Sequence, residues 1–340
     1  MRLGTEWVLV PKTYCLHPLL HRLRSGGSLW CGCDPRGAYS FAMAPRFTPD
    51  ERRRLIDRTE KLLGRKKLAA LIERHRNHPG PYPHRLIDQH LRMRRAENDA
   101  GNYIVDDDSL VAATEVAGIL DELERWINDP IWPEYRRALN EARDYVHTAV
   151  ALCFAHALRI NHPATELVSS GRRSRKATPD LRMVVTLELA LAVEVKAPTT
   201  IGSRSLSMTH GEAAIVATRA LKEALKQLAG GPGMLVIGNF NIDRDSFNAL
   251  SDAAGDIVER DGSETNLMAI VIANLFVGVG DSVGAGPSEI GFSLKTRIRS
   301  NRLYTGPIAF EGDWEHEWRL LPREGVSKRS IYVVRRRLVI

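Results

Sequence analysis

Two acidic residues and a lysine in the middle of the chain form the pattern with the clearest chemical meaning. Pro179 and Asp180 open a segment rich in β-branched residues, and Glu194, Val195 and Lys196 end the apolar segment that follows it. Thirteen residues separate Asp180 from Glu194. This spacing fits two paired strands of a hairpin. We therefore expect the two carboxylates to converge at one end of that hairpin.

Two carboxylates in this arrangement are suited to a hard divalent cation. Mg²⁺ and Mn²⁺ prefer oxygen ligands, and the main-chain carbonyl of Val195 would be another ligand. A cation held in this way orients and acidifies a water molecule and stabilises charge on a phosphodiester. The ammonium group of Lys196 would stabilise the developing negative charge or position the nucleophilic water.

The acidic residue and the lysine share one side of their strand. Side chains alternate along a strand, so Glu194 and Lys196 point to one face of the sheet and Val195 points to the other. Glu194-Val195-Lys196 is the only triplet in the chain that has an acidic residue two positions before a lysine. The alternative to a catalytic site is a hairpin whose Glu194 and Lys196 face is simply solvated.

The segments that must position these residues alternate between helical and strand patterns. The predicted order is a helix over residues 133–160, strands over 165–169, 181–187 and 189–196, a helix over 212–228 and a strand over 234–238. This order predicts an α/β core of about a hundred residues, in which both helices pack against one sheet.

Pro179-Asp180, Glu194-Val195-Lys196 and this order of elements resemble the PD-(D/E)XK nuclease superfamily, which includes restriction endonucleases, recombination nucleases and transposon-end nucleases. The resemblance covers residues 133–240, under a third of the chain. It implies a restriction-endonuclease-like core and Mg²⁺-dependent (or Mn²⁺-dependent) cleavage of phosphodiester bonds. Asp180 and Glu194 would be the metal ligands and Lys196 the catalytic lysine. DNA is the expected substrate, cut endonucleolytically, and RNA stays open.

Many members of this superfamily add an acidic metal ligand from the helix that precedes the first strand. Glu141 is the expected ligand of this kind, and Asp144 is an alternative on the same helix. Glu166, in the first strand, is a second alternative. Gln227, near the end of the next helix, is a further candidate to face the site.

Basic residues near the expected metal site predict contacts with phosphate groups. One dense run lies in the turn before Pro179: Arg172, Arg173, Arg175 and Lys176. Their position favours contacts to a nucleic-acid backbone, and a solvated hairpin tip is the alternative. Three more basic residues recur at helical spacing in the next helix: Arg219, Lys222 and Lys226. These would extend the basic surface or line an exposed helix face.

Composition sets the broad class of the protein. The chain has 340 residues, 44% of them hydrophobic and 26% charged, which excludes a wholly disordered or fibrous protein. Its net charge of +7 is compatible with a polyanionic partner. No apolar run reaches the roughly 20 residues that a membrane helix requires. With no signal-peptide core in residues 1–12, we expect a cytoplasmic protein and no membrane partner.

Three regions are predicted along the chain. Residues 1–130 would be a mainly helical region that binds DNA or a partner, 131–262 the nuclease-like core, and 263–340 its β-rich extension. Cys15, Cys31 and Cys33, with nearby histidines, match no standard zinc-finger spacing. A homodimer or a partner protein is possible.

The alternative function is a catalytically silent nucleic-acid-binding or assembly protein on the same fold. The intact set of Asp180, Glu194 and Lys196 favours catalysis.

Overall fold

The computed structural model describes residues 8–9, 49–74, 84–95, 107–168, 178–202, 206–228, 231–262, 266–279, 290–312 and 318–323. The helices in these ranges are α1 (Pro49–Leu63), α2 (Arg65–Arg74), α3 (Arg85–Arg95), α4 (Asp107–Glu124), α5 (Trp132–Leu139), α6 (Ala142–Asn161), α7 (Thr199–Gly202), α8 (His210–Leu225) and α9 (Arg244–Asp261). The strands are β1 (Val8–Leu9), β2 (Thr165–Leu167), β3 (Leu181–Val184), β4 (Ala190–Lys196), β5 (Gly233–Phe240), β6 (Leu267–Val279), β7 (Ile290–Ser300), β8 (Ile308–Gly312) and β9 (Trp318–Pro322). Of the described helices, none is both long enough and apolar enough to span a membrane.

One mixed sheet contains seven of the described strands, in the order β1-β7-β6-β5-β4-β3-β2. β2, β3 and β4 form an antiparallel meander, whereas β4 pairs with β5, and β5 with β6, in parallel. β8 and β9 form a separate antiparallel pair. The structure confirms a mixed α/β fold. It also confirms that the segments around 181–187 and 189–196 are adjacent antiparallel strands, although β3 already ends at Val184.

The chain divides into two compact units. One unit consists of Lys12–Asp121 and Val277–Ser293, and contains α1, α2, α3 and most of α4. Within it, Arg85 forms a bidentate ion pair of 2.6 and 2.8 Å with the buried carboxylate of Glu115. The other unit consists of Met1–Pro11, Glu122–Phe276 and Leu294–Ile340. It contains the hairpin with Asp180, Glu194 and Lys196.

Helices cover both faces of the sheet in this second unit. α6 packs against β2, β4 and β5 on one face, and α8 packs against β4 and β5 on the other. α9 packs against α8, and the apolar side chains of both helices bury Leu235 and Ile237 of β5. On the α6 face, Gly238 of β5 lies so close to Val150 that an added Cβ would be 2.5 Å from a Val150 methyl carbon.

The long helix predicted over residues 133–160 is wrong in one respect, because it is broken at Asn140. The side-chain amide of Asn140 donates a hydrogen bond of 2.8 Å to the carbonyl of Arg136, and Glu141 adopts an extended backbone as the N-cap of α6. Asparagine competes in this way for backbone groups and is common at helix ends.

We expect Gly238→Ala to destabilise the protein by about 1–3 kcal/mol, because its Cβ would overpack against Val150. The double variant Val150→Ala/Gly238→Ala should recover part of this loss, since the smaller side chain at 150 frees the space. Urea unfolding of both single variants and the double variant measures the coupling. Gly211→Ala is the control, because nothing lies within 4 Å of its added Cβ. Strictly additive effects of the two changes would contradict the packing argument.

Candidate functional site

A hydrogen bond between the two strands of the hairpin ties Asp180 to the segment that carries Glu194 and Lys196. The side chain of Asp180, the residue before β3, accepts this bond from the backbone N–H of Val195 through Oδ2, at 2.8 Å. Because β3 and β4 are antiparallel, the residue before β3 and the last residues of β4 meet at one end of the hairpin. The structure therefore places Asp180 next to the Glu194-Val195-Lys196 segment.

The carboxylate of Glu194 is buried, with only 1% of its side chain exposed. It lies beside Leu235 of β5 in the parallel register, on the face that α8 covers. Its Oε1 accepts a hydrogen bond of 2.6 Å from Lys196 Nζ, while Oε2 has no hydrogen-bond partner among the described residues. The solvated-face alternative is therefore wrong for Glu194.

The protonation of Glu194 is sensitive to these surroundings. Burial, and then the charge of Asp180, raise the pKa of Glu194 to about 7, although the ammonium group of Lys196 opposes the shift. Both causes penalise the ionised acid, as expected for two carboxylates that share a poorly solvated site. A cation at this position would relieve both penalties.

Lys196 lies between two oxygen acceptors. Its Nζ donates to Glu194 Oε1 and also, at 2.8 Å, to Oε1 of Gln227, which follows the end of α8. The side chain of Lys196 is 18% exposed. The structure thus brings Gln227 to the site, and its contact is with the lysine.

The hydroxyl group of Tyr135 in α5 contacts the backbone on both sides of the segment before β3. It donates to the carbonyl oxygens of Asp180 and Val168, at 3.1 and 3.2 Å. Burial, followed by the charge of Asp180, raises the pKa of Tyr135, so that the hydroxyl remains a donor. Nothing in the sequence pattern distinguished Tyr135 from an ordinary core aromatic residue.

His147 of α6 contacts the second oxygen of Asp180. Its Nε2 lies 3.1 Å from Asp180 Oδ1. Burial lowers the pKa of His147, but the charge and hydrogen bond of Asp180 together outweigh burial, so the net shift is upward. His147 was not among the residues predicted for the site. The signal in the sequence was a titratable side chain on the helix that was expected to supply an additional ligand.

The additional acidic ligand was predicted at Glu141, with Asp144 as an alternative. Glu141 is exposed at the break before α6, and Asp144 lies in the first turn of this helix. Within the described ranges, no group of three or more His, Cys, Asp or Glu side chains is placed to hold a metal ion. The role of Glu141 stays a prediction.

The donor atoms at the hairpin end nevertheless fit a hard cation. Oε2 of Glu194 is buried and has no hydrogen-bond partner in the described part of the chain, and each Asp180 oxygen keeps a lone pair beyond its one hydrogen bond found there. In an extended strand the N–H and C=O groups of one residue point to the same side, so the Val195 carbonyl faces the Asp180 side. Two carboxylates and a carbonyl, completed by water, suit Mg²⁺ or Mn²⁺.

Several predicted residues lie outside the described ranges. They are the basic run Arg172, Arg173, Arg175 and Lys176, and the cysteines Cys15, Cys31 and Cys33. Of the helical basic residues, Arg219 forms an ion pair of 3.1 Å with Glu223, whereas Lys222 and Lys226 are exposed.

Comparison of the chain with known protein families and with curated proteins finds no match to either. The function must therefore be argued from the site itself.

Replacing Glu194 with Gln should stabilise the metal-free protein above neutral pH. The pKa of Glu194 is raised from 4.5 to about 7, so the native state binds an extra proton between these values and stability falls as the pH rises through them. Across this pH range the wild type should lose on the order of 3 kcal/mol of its free energy of unfolding, and Glu194→Gln should not. Urea unfolding in EDTA at about pH 5 and about pH 8 measures it.

The matched control is Glu188→Gln, which changes an exposed carboxylate in the turn of the same hairpin. It should leave the pH dependence as in the wild type. If Glu194→Gln changed the free energy of unfolding by the same amount at both pH values, the penalty for burying the charge of Glu194 would be contradicted.

Proposed function

We propose that the protein is a metal-dependent nuclease that hydrolyses phosphodiester bonds in DNA, cutting within the strand. The observation that carries this proposal is the buried Glu194, one of whose oxygens has no hydrogen-bond partner among the described residues, beside Asp180 and Lys196 at the end of one hairpin. An ionised, partly unpaired carboxylate is costly to bury. A divalent cation bound there would offset that cost and give the arrangement a purpose.

The topology supports a restriction-endonuclease-like core. A helix, the antiparallel meander of β2, β3 and β4, the helix α8 and the parallel strand β5 follow one another as in the order that resembles the PD-(D/E)XK superfamily. Asp180 directly precedes β3, and Glu194 and Lys196 lie on β4, which supports this resemblance. A similar order of helices and strands supports the proposed fold, whereas the proposed activity must be argued from the residues of the site.

Each residue of the site has a distinct proposed role. Asp180, Glu194 and the Val195 carbonyl would hold Mg²⁺ or Mn²⁺, which when bound supplies a Lewis acid for water and phosphate. The Lys196 ammonium would face the phosphate and stabilise the charge that develops there.

Three further side chains keep these groups in place. Gln227 orients Lys196 through the 2.8 Å hydrogen bond. Tyr135 fixes the backbone of Asp180, and His147 fixes its carboxylate through Oδ1. Such supporting contacts commonly determine how well ligands bind a metal.

The direct test is a cleavage assay on supercoiled plasmid, linear DNA and single-stranded RNA with Mg²⁺, Mn²⁺, Ca²⁺ or EDTA. The wild type should cut DNA with Mg²⁺ or Mn²⁺, and Asp180→Ala or Glu194→Ala should abolish cutting because a single carboxylate cannot retain the ion. Lys196→Ala should cut more slowly by a factor on the order of 10²–10³. Glu188→Ala is the matched control and should cut as the wild type does.

Two outcomes would contradict the nuclease proposal. One is cutting by the wild type in EDTA, and the other is cutting by Asp180→Ala at the wild-type rate. If DNA is bound but no nucleic acid is cut with any metal, the silent binding protein replaces the nuclease as the proposed function.

Metal binding can be tested without any nucleic acid. We expect His147→Gln to weaken Mn²⁺ binding about 10–100-fold, because the contact that orients the Asp180 carboxylate is lost or displaced. Titration followed by electron paramagnetic resonance measures free Mn²⁺ directly. His210→Gln is a matched control, since His210 makes a similar 3.1 Å contact with Asp256 elsewhere. Equal Mn²⁺ affinity in both variants would show that His147 does not support the metal ligands.

A further inference from the structure

The outer surfaces of α8 and α9 carry opposite charges. The two helices pack against each other and bury their apolar sides on the same face of the sheet. The opposite side of α8 bears a row of exposed residues, the basic stripe, within about 60° of one another around the helix: Ile215, Arg219, Lys222 and Lys226. The opposite side of α9 bears a corresponding acidic stripe: Asp245, Asp252, Asp256 and Glu259. The two stripes therefore lie side by side and point away from the sheet.

The charges within each stripe repel one another. Like charges four positions apart destabilise a helix, and both stripes contain such a pair. Four of the charged side chains form no ion pair with a described residue: Lys222, Lys226, Asp245 and Glu259. The other three are engaged in pairs: Arg219 with Glu223, Asp252 with Arg299, and Asp256 with His210. A facing surface of opposite charge would therefore stabilise each stripe.

The two stripes also allow close contact with another surface. Ile215, at the start of the basic stripe, is 71% exposed and would be removed from water in an interface. On α9 the half-buried Ala249 and Gly255 flank the acidic stripe, and residues of this size let a facing helix approach closely. A lone exposed isoleucine is ordinary on a protein surface, so the charges are the main argument.

We propose that this surface binds the same surface of a second copy of the chain, across a two-fold axis that runs between α8 and α9 and along them. The rotation places the basic stripe of each copy against the acidic stripe of the other. A polyanion such as a nucleic acid would be attracted by the basic stripe and repelled by the acidic stripe beside it. A second copy is attracted by both stripes, which favours it as the occupant.

The size of the surface indicates a weak dimer. α8 has 16 residues and α9 has 18. At a rise of about 1.5 Å per residue and a spacing of about 10 Å between packed helices, the pair presents a patch of about 500 Å² per copy. A total of about 1,000 Å² lies at the lower limit for a specific interface. We therefore expect a dimer that dissociates in the micromolar range.

The test is sedimentation velocity of the full chain over concentrations that span the micromolar range, in about 0.15 M salt. The wild type should form a dimer as its concentration rises. Lys222→Glu/Lys226→Glu should weaken the dimer about 100-fold, because two charges on each copy change from attracting the facing stripe to repelling it. Asp256→Lys/Glu259→Lys should weaken it to a similar extent for the same reason.

An equimolar mixture of these two variants tests the pairing of the stripes directly. In a heterodimer the reversed α8 of one variant faces the reversed α9 of the other, and the two unchanged stripes also face each other. The mixture should therefore form a heterodimer with an affinity within about tenfold of that of the wild-type dimer. With a fluorescein label on one variant only, fluorescence-detected sedimentation follows the heterodimer.

Matched controls come from other surfaces of the same unit. Arg137→Glu/Arg143→Glu reverses two exposed arginines on α5 and α6, and α6 covers the other face of the sheet, so this variant should dimerise as the wild type does. Ile215→Gln should weaken the dimer about tenfold through lost apolar burial. Leu187→Gln changes a residue that is 60% exposed in the turn between β3 and β4, and it should not weaken the dimer. Circular dichroism verifies that every variant is folded.

Three results would overturn this interface: a wild type that stays monomeric over the whole range, a dimer that both reversed variants retain, or a mixture that stays monomeric. A dimer that the reversal at Arg137 and Arg143 weakens equally would overturn it as well, because net charge would then govern association. None of these measurements requires cleavage, so their result is independent of the proposed nuclease.

Discussion

The burial of the Glu194 carboxylate is the constraint on which the rest of the site depends. A buried acid needs a counter-charge or hydrogen bonds, and within the described ranges only one of its two oxygens has them, through Lys196. Lys196 in turn needs a second acceptor, which is Gln227. The packing of α8 on β4 therefore determines polar contacts of the site as well as apolar ones of the core. It buries the acid and delivers the amide that holds the lysine.

The change of strand direction at β4 makes this arrangement possible. β4 is antiparallel to β3 and parallel to β5, so it joins the meander to the parallel half of the sheet. A parallel connection must cross over the sheet, and α8 is the helix of that crossover. Gln227 lies in the connection between the end of α8 and the start of β5, and from there its side chain reaches Lys196. The antiparallel pairing of β3 with β4 brings the Asp180 carboxylate to the backbone N–H of Val195.

Part of this organisation was predictable from the sequence because it depends on local patterns. The β-branched segments, the short connection between β3 and β4 and the spacing of Asp180 from Glu194 specify a hairpin and its register. The contacts of His147 and Tyr135 were not predictable, since they depend on how α5 and α6 lie against the sheet. The break at Asn140 belongs to the same class: a single residue with weak helix propensity ended a helix that the apolar pattern would have continued. The sequence also left open which face of each strand is buried, because this depends on where the helices pack.

In the proposed nuclease, Lys196 would have two partners that compete. Without a bound cation its ammonium group compensates the charge of Glu194, and this attraction weakens once a divalent ion takes over that role. A lysine held by Glu194 alone would then lose its position when it is needed at the phosphate. The hydrogen bond to Gln227 does not depend on the charge of Glu194, because an amide oxygen is neutral in either state. In the proposed nuclease, Gln227 would thus keep the ammonium group beside the carboxylates when a cation binds, which gives a role to the half-buried amide that follows α8.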